Sequence, residues 1–388
     1  MLSDSHKVDE QYRKTLLDFE AQTQWKVSNL NANGNTWTIN LTDASGIFIR
    51  SRLNRGIAVL HRDAPSQIQY FDIHLNNWGM LVSQYRVNRK DWMLAETQLL
   101  PPSQRHPNII TQEPTAYTTA WANRSLPADS TDELSPLGKP DLAGAAIGHL
   151  DHDPLQTNLG VSYAQVVGGP NAPFLFALGV KGDALYKFRE NTWVTGTINA
   201  RVLDNFGKYT YQPPPDGLYP VRTDIRQFMT NSLVTMPNLQ VTNTGQLGGN
   251  QFVSVYAGYL EMMFAGAGGE YLWRPVDSRL AIGANINRVY QRQFNQWTSL
   301  QNYSVNTGFV TAYWDTGVQD LLVKLSMGQY LAGDRGGTLD VSRVFQNGVK
   351  IGAYATRTNV SYAAFGEGSF DKGLYIMIPF GRPHIFGL

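Results

Sequence analysis

The chain has 388 residues, no cysteine, and 32 Lys and Arg against 31 Asp and Glu, a net charge of +1. That balance argues against nucleic acid as a main partner, because phosphate-binding surfaces show a basic excess, and the lack of Cys excludes disulfides, thiolate metal sites and Cys nucleophiles. Charged residues make up only 16%, below the ~25% of ordinary soluble domains, while 36 Gly, 19 Tyr, 17 Phe and 9 Trp suit a turn-rich all-β protein, outer-membrane barrels included.

In chain order, "HKVDEQYRKTLLDFEAQ" (6–22) is expected to be helical, with Val8, Tyr12, Thr15, Leu16 and Phe19 on one face. A run of short strands is expected next: "TWTINL" (36–41), "GIFIRSRL" (46–53), "GIAVLHR" (56–62), "IQYFDIHL" (68–75) and "MLVSQYRV" (80–87). Together, residues 1–92 read as a small α/β module. Residues 93–157 are rich in Pro, Ser, Thr and Asn without a sustained period, and read as a linker or irregular connection. The most apolar run, "APFLFALGV" (172–180), is far shorter than the ~20 residues of a membrane-spanning helix. The first residues carry charges throughout and no apolar leader core.

From 158 to 388 alternating strands dominate, about a dozen of them at roughly ten residues each, the length a tilted strand needs to cross a bilayer. Leu280, Ile282, Ala284 and Ile286 alternate with Ala281, Gly283, Asn285 and Asn287. Leu321, Val323, Leu325 and Met327 alternate with Leu322, Lys324, Ser326 and Gly328. In "YSVNTGFVTAYW", Tyr303, Val305, Phe309 and Tyr313 are expected on the apolar face, opposite Ser304, Asn306 and Gly308. Tight turns alternate with longer polar loops, the pattern of an up-and-down barrel.

The apolar face faces either a core or lipid. A soluble sandwich puts charged residues on its other face; here that face is small and neutral, as a membrane barrel allows. The polar-face residues Asn285, Asn287, Lys324, Ser326, Asp340, Lys350 and Tyr354 are therefore candidates for a lumen. Tyr271, Trp273, Trp297, Tyr313, Trp314 and Tyr330, near strand ends, are candidates for interfacial aromatic girdles. A one-residue slip in phase would invert either assignment.

Other motifs carry less. "HLDHDP" (149–154) has metal-ligand residue types without a standard zinc or calcium spacing. "HRD" (61–63) lacks the companion motifs of a kinase, and "GDRGG" (333–337) lacks the GK[ST] of a phosphate loop. Glu261, Glu270, Asp334, Asp340, Glu367 and Asp371 are the acids available for a two-carboxylate glycosidase.

Five stretches, "ALGVKGDALYKFRENTWVTGTINARVLDNFGKY" (177–209), "YAGYLEMMFAGAGGEYLWRPVDSRLAIG" (256–283), "TAYW" (311–314), "LVKLSMGQYLAGDRGGTLDVSRVFQNGVKIGAYATRTNV" (322–360) and "GEGSFDKGLYIMIPF" (366–380), occur in order. In them the chain resembles the YjbH/GfcD family of Gram-negative bacteria. The resemblance implies a mainly β fold: an antiparallel transmembrane β-barrel in the cell outer membrane, preceded by a small α/β periplasmic module. It implies a non-catalytic part in moving exopolysaccharide or capsule, with the polysaccharide, membrane lipid and a Wza-like outer-membrane export protein as partners and no cofactor, metal or nucleic acid. Against a full-length member the chain reads as a fragment or a shortened form. The alternative is a soluble β-rich glycan-binding or glycan-cleaving domain, in which Leu280, Ile282, Leu325 and Ile351 would converge on one dry interior.

Overall fold

The computed structural model describes residues 4–42, 49–97, 109–112, 145–167, 173–210, 218–276, 278–345, 349–361 and 371–378. Two sheets divide them. The first has six strands: β1 (Lys26–Asn33), β2 (Thr36–Thr42), β3 (Tyr70–Asn77), β4 (Met80–Asn88), β5 (Ile109–Gln112) and β6 (Ala145–His149), in the order β5-β4-β3-β2-β1-β6. Strands β2 and β3 are parallel, joined by a crossover helix α2 (Ile49–Asp63), and the other pairs are antiparallel. Alternation works here as a soluble sheet requires. Trp37, Ile39 and Leu41 of β2 and Phe71, Ile73 and Leu75 of β3 are buried. They meet Leu16 and Phe19 of α1 (Asp4–Thr23) and Leu53, Ile57 and Leu60 of α2. Gly56 lets α2 approach α1, since a Cβ there would stand 2.5 Å from the Phe19 ring.

Two expectations for this region change. "GIFIRSRL" and "GIAVLHR" are not strands; from Ile49 they form α2. Leu53, Ile57, Leu60 and Ala64 recur at helical spacing, which the density of apolar residues hid. The region after 92 also contributes to the first sheet, since β5 and β6 form its two edges and α3 (Arg89–Glu96) precedes them. Arg89 anchors the end of α2. Its Nη1 donates to the carbonyls of Pro65 (2.7 Å) and Ile68 (3.0 Å), and its Nη2 to those of His61 (2.8 Å) and Ala64 (3.1 Å). Of these, the His61 carbonyl lies in the last turn of α2, where carbonyls run out of intrahelical partners.

The second sheet has twelve strands, every neighbouring pair antiparallel and consecutive in sequence. They are β7 (Leu155–Val167), β8 (Phe174–Arg189), β9 (Thr192–Asp204), β10 (Val234–Gly248), β11 (Gln251–Tyr259) and β12 (Phe264–Trp273), then β13 (Leu280–Arg292), β14 (Leu300–Asp315), β15 (Leu321–Gln329), β16 (Arg335–Val344), β17 (Lys350–Thr358) and β18 (Asp371–Met377). Strands β7 and β18 are its edges and do not pair with each other. One end of the sheet carries the turns β8–β9, β10–β11, β12–β13, β14–β15 and β16–β17, the first two as tight as Glu190–Asn191 and Gly249–Asn250. The other end carries the longer connections, above all residues 205–233 between β9 and β10, which hold a 3-10 turn (Phe206–Lys208) and α4 (Ile225–Thr230).

The two faces of this sheet invert the first. Leu159, Ile286 and Leu374 are 78, 69 and 86% exposed. Their face continues through Val161, Val180, Ile198, Val241, Val310, Met327, Leu339 and Ile376, all exposed. The opposite face is polar and hydrogen-bonded across strands: Ser162 Oγ to Asn199 Oδ1 (2.6 Å), Thr195 Oγ1 to Asn238 Oδ1 (3.0 Å), Tyr256 Oη to Asn287 Oδ1 (2.6 Å), and Thr338 with Thr356 (2.7 Å).

The phase expected for β14 is corrected. Gly308 pairs with Ile286 and Ala312 with Ile282, so Gly308, Val310, Ala312 and Trp314 share the apolar face. Tyr303, Val305, Phe309 and Tyr313 lie on the polar side. Aromatic residues on a polar face produced the slip, and cross-strand pairing, which fixes the face, is absent from one strand's pattern.

Candidate functional site

The polar face of β13–β18 brings the predicted lumen residues together. Directly paired residues of an antiparallel sheet share a face. Asn285 pairs with Phe309, which pairs with Gly328 of β15; Lys324 and Ser326 follow on the same side. Asp340 pairs with Lys324 on one side and Tyr354 on the other. Asn287 and Lys350 complete the set of seven on this face. Ser326 Oγ is 3.0 Å from Thr311 Oγ1, and Tyr375 Oη donates to Asp340 Oδ1 at 3.0 Å. The ammonium groups of Lys324 and Lys350 sit over the rings of Tyr313 (5.8 Å) and Tyr375 (5.5 Å). The result is a wall of amides, hydroxyls, phenol rings and a few charges of both signs.

The aromatic candidates separate. Tyr271 and Trp273 of β12 and Trp314 of β14 are on the apolar face near the short-turn end. Trp297 lies exposed in the β13–β14 loop. Tyr313 and Tyr330 belong to the polar side: Tyr313 pairs with Lys324, and Tyr330 Oη is 2.6 Å from Thr338 Oγ1 with its ring edge-on to Phe309.

The sequence reading missed that both ends of this face are covered. At the long-loop end, the segment before β10 folds over it. Phe228 of α4 is fully buried against Phe264, Val289 and Val305, apolar residues on the polar side of their strands. The Tyr219 ring stacks on Tyr303 at 3.7 Å and its hydroxyl donates to Gln291 Oε1 at 2.9 Å. Arg222 donates to both carboxylate oxygens of Glu261 at 2.7 Å. Arg292, wholly buried, gathers the carbonyls of Met236, Pro237, Glu261, Gln296 and Trp297. Gln296 Nε2 in turn holds the Phe228 carbonyl at 2.7 Å. Apolar residues breaking the polar alternation at the ends of β12, β13 and β14 were the available signal.

At the short-turn end, the first sheet reaches in. The β3–β4 hairpin turns through Trp78 (φ 51°) and Gly79 (φ 71°), both left-handed as a two-residue hairpin turn requires. The Trp78 indole stacks on Trp193 of β9, and Lys187 lies over its ring at 5.1 Å. Thr244 Oγ1 donates to the Trp78 carbonyl at 2.7 Å, and the Leu81 N–H to Gln246 Oε1 at 3.2 Å. Trp193, Lys187, Thr244 and Gln246 are all on the polar side of their strands.

"HLDHDP" is divided between two local pairs. His149 Nε2 lies 2.9 Å from Asp151, and His152 Nε2 2.8 Å from Glu20. Burial would raise the Glu20 carboxyl, but the bonds from His152 and the Val27 N–H, with Lys26 nearby, hold it below its ordinary value. Among the described residues no three His, Asp or Glu side chains gather in a group that could hold a metal.

The family profile described as exopolysaccharide biosynthesis protein YbjH, family YjbH, matches residues 3–383. The chain belongs to that family. A relative from Escherichia coli (strain K12), named uncharacterized lipoprotein YjbH, is 45% identical over 221 residues, 55% of this chain. The match covers 32% of the relative's own length, so the matched part of the chain spans about a third of it. The YjbH relationship thus reaches across both sheets and takes in the module, the covered polar face and the exposed apolar one.

Proposed function

We propose that the twelve-stranded sheet forms the wall of an outer-membrane β-barrel that passes exopolysaccharide or capsule polymer without catalysis. The observation that carries this is the inversion of faces. Leu280, Ile282, Leu325 and Ile351, which a soluble sandwich would bury, are 39, 38, 40 and 45% exposed, while hydroxyls and amides pair on the other face. So extended an apolar surface exceeds what soluble monomers expose and matches the lipid face of a barrel. Sheets cross lipid only when every edge is paired, so β7 and β18 meet a closing edge in the membrane.

The polar wall suits a hydrated polymer. Asn285, Asn287, Ser326 and Tyr354 exchange hydrogen bonds with sugar hydroxyls, and Lys324, Asp340 and Lys350 add weak charge contacts of both signs. In bacterial barrels the short turns are periplasmic. The first sheet docks at that end and is then a periplasmic module, placed to meet a Wza-like export protein. The two covers make the resting passage closed.

The test is reconstitution. The full chain in detergent should keep a β-rich fold that migrates faster unheated than boiled, and should conduct ions in a bilayer once a cover is loosened. A chain that stays folded in water without detergent, or that releases reducing ends from polysaccharide, would sink the reading.

A further inference from the structure

We infer that the apolar face ends, on the long-loop side, in a site for phosphate-bearing lipid headgroups, formed by Arg288 of β13, Arg335 of β16 and Arg357 of β17. The inference rests on the membrane reading above and names the leaflet chemistry it meets. All three arginines are exposed on the apolar face, as register shows: Arg288 is two residues from Ile286, Arg335 pairs with Gln329, and Arg357 pairs with Gly337, two residues from Leu339. From Leu280 up to Arg288, from Val344 back to Arg335 and from Lys350 up to Arg357, the strands climb similar distances, roughly 25 Å at ~3.3 Å per residue. In strands tilted by about 40°, that is a height of roughly 20 Å above the turns, where a barrel's apolar band, about 25 Å tall, gives way to headgroups.

Position along the strands supports the same plane. Each arginine sits two residues lower in register than the one before as the sheet runs from β13 to β17, and the short turns descend in the same direction. A stagger of this kind is what strand tilt produces.

Arg288 and Arg335 are oriented but not neutralised. Arg288 donates to Ser304 Oγ (2.8 Å) and Asn306 Oδ1 (3.2 Å); Arg335 Nε donates to Gln329 Oε1 (2.9 Å); and Gln329 Nε2 donates to the Asn306 carbonyl (2.9 Å). These partners are neutral, and among the described residues none of the three arginines is in an ion pair. The register puts no Asp or Glu on the apolar face of β13–β18. A row of exposed guanidinium groups above an apolar band, with no acid on that face of the strands, fits phosphate oxygens, which guanidinium meets with paired N–H bonds.

The test titrates the full chain, folded in neutral detergent, with diphosphoryl lipid A, with phosphatidylcholine and with inorganic diphosphate, reading bound lipid by native mass spectrometry. Lipid A should bind well above phosphatidylcholine. The variant Arg288→Gln/Arg335→Gln/Arg357→Gln should bind it up to about a hundredfold more weakly at low salt, each cation near an anionic surface being worth about fivefold. Arg343→Gln, at the opposite rim, should leave binding unchanged. If the triple variant loses its heat-modifiable fold, Arg357→Gln alone, whose side chain makes no hydrogen bond among the described residues, should still lose about fivefold. Equal binding by wild type and variant overturns the inference while leaving the barrel standing, as does inorganic diphosphate binding as tightly as lipid A. A chain that folds without detergent removes the barrel and this site together.

Discussion

Trp78 of the first sheet stacks on Trp193 of the second with ring centroids 4.1 Å apart and planes 23° from parallel. This contact, with Lys187 over the Trp78 ring, fixes the hairpin tip against the polar face where β8, β9 and β10 end. Stacked aromatic pairs are worth about 0.5–1.5 kcal/mol beyond their burial. Trp193→Ala is therefore expected to loosen the module from the sheet without unfolding either. Proteolysis at the β3–β4 tip should accelerate and single-channel current should rise; unchanged protection of the tip would refute the docking role.

The cover at the other end predicts a larger effect. Phe228 is buried among Phe264, Val289 and Val305, and truncating a buried Phe costs about 3–5 kcal/mol. That exceeds what one short helix holds by itself, so Phe228→Ala should release residues 218–233 from the polar face while the strands remain paired. The readout is conductance at fixed voltage, expected to increase several-fold. A closed channel with unaltered hydrogen exchange in α4 would count against the segment as a cover.

Paired substitutions on one strand separate lipid from core. Leu325 and Ser326 are neighbours on opposite faces of β15. In a bilayer, Leu325→Lys should cost about 2–4 kcal/mol if it sits near the midplane, and Ser326→Lys much less. Unfolding by denaturant in vesicles measures both. Equal costs would mean that the two faces meet similar surroundings.

The module should weaken in acid. His74 has one ring nitrogen 3.0 Å from Asn40 Oδ1 and the other 3.3 Å from Gln84 Nε2, a pattern that uses one as donor and the other as acceptor and so holds the neutral ring. Burial pushes its pKa down to about 4. The unfolded ring takes a proton near its ordinary value of 6.5, so stability falls as pH drops from about 6.5 toward 4. Asp63, lowered by its bond from Arg62 against the opposing effect of burial and helped by Thr15, adds a loss at still lower pH. The His74 part is on the order of a few kcal/mol. Chemical denaturation of the full chain at pH 7.5 and 5, followed by the module's tryptophan fluorescence, should show it, and His74→Gln should flatten the upper part of the curve.

Much of this was readable from alternation. Leu280 to Ile286, Leu321 to Met327 and Ile351 to Ala355 carry their face in their own spacing, and so do the seven polar-wall residues between them. Alternation failed where another demand overrode it. In β14, Tyr303 and Val305 are apolar because the Phe228 cover lies on them, which inverted the apparent phase. In α2, a helix packed on both a sheet and a helix is apolar enough to resemble a strand. β5 and β6 are short edge strands whose partners lie far off in sequence, and pairing of that kind leaves no local trace.

The hairpin tip touches β8 to β10 at one end, the α4 segment β8, β9 and β12 to β14 at the other, and the described contacts of neither reach Lys324, Asp340, Lys350 or Tyr354. In the proposed barrel, the route that opens when a cover loosens is therefore off-axis. A polymer threading it would slide along one side, against the stretch where Lys324, Asp340 and Lys350 set opposite charges on neighbouring strands, and β15 to β17 would set its grip and its pace.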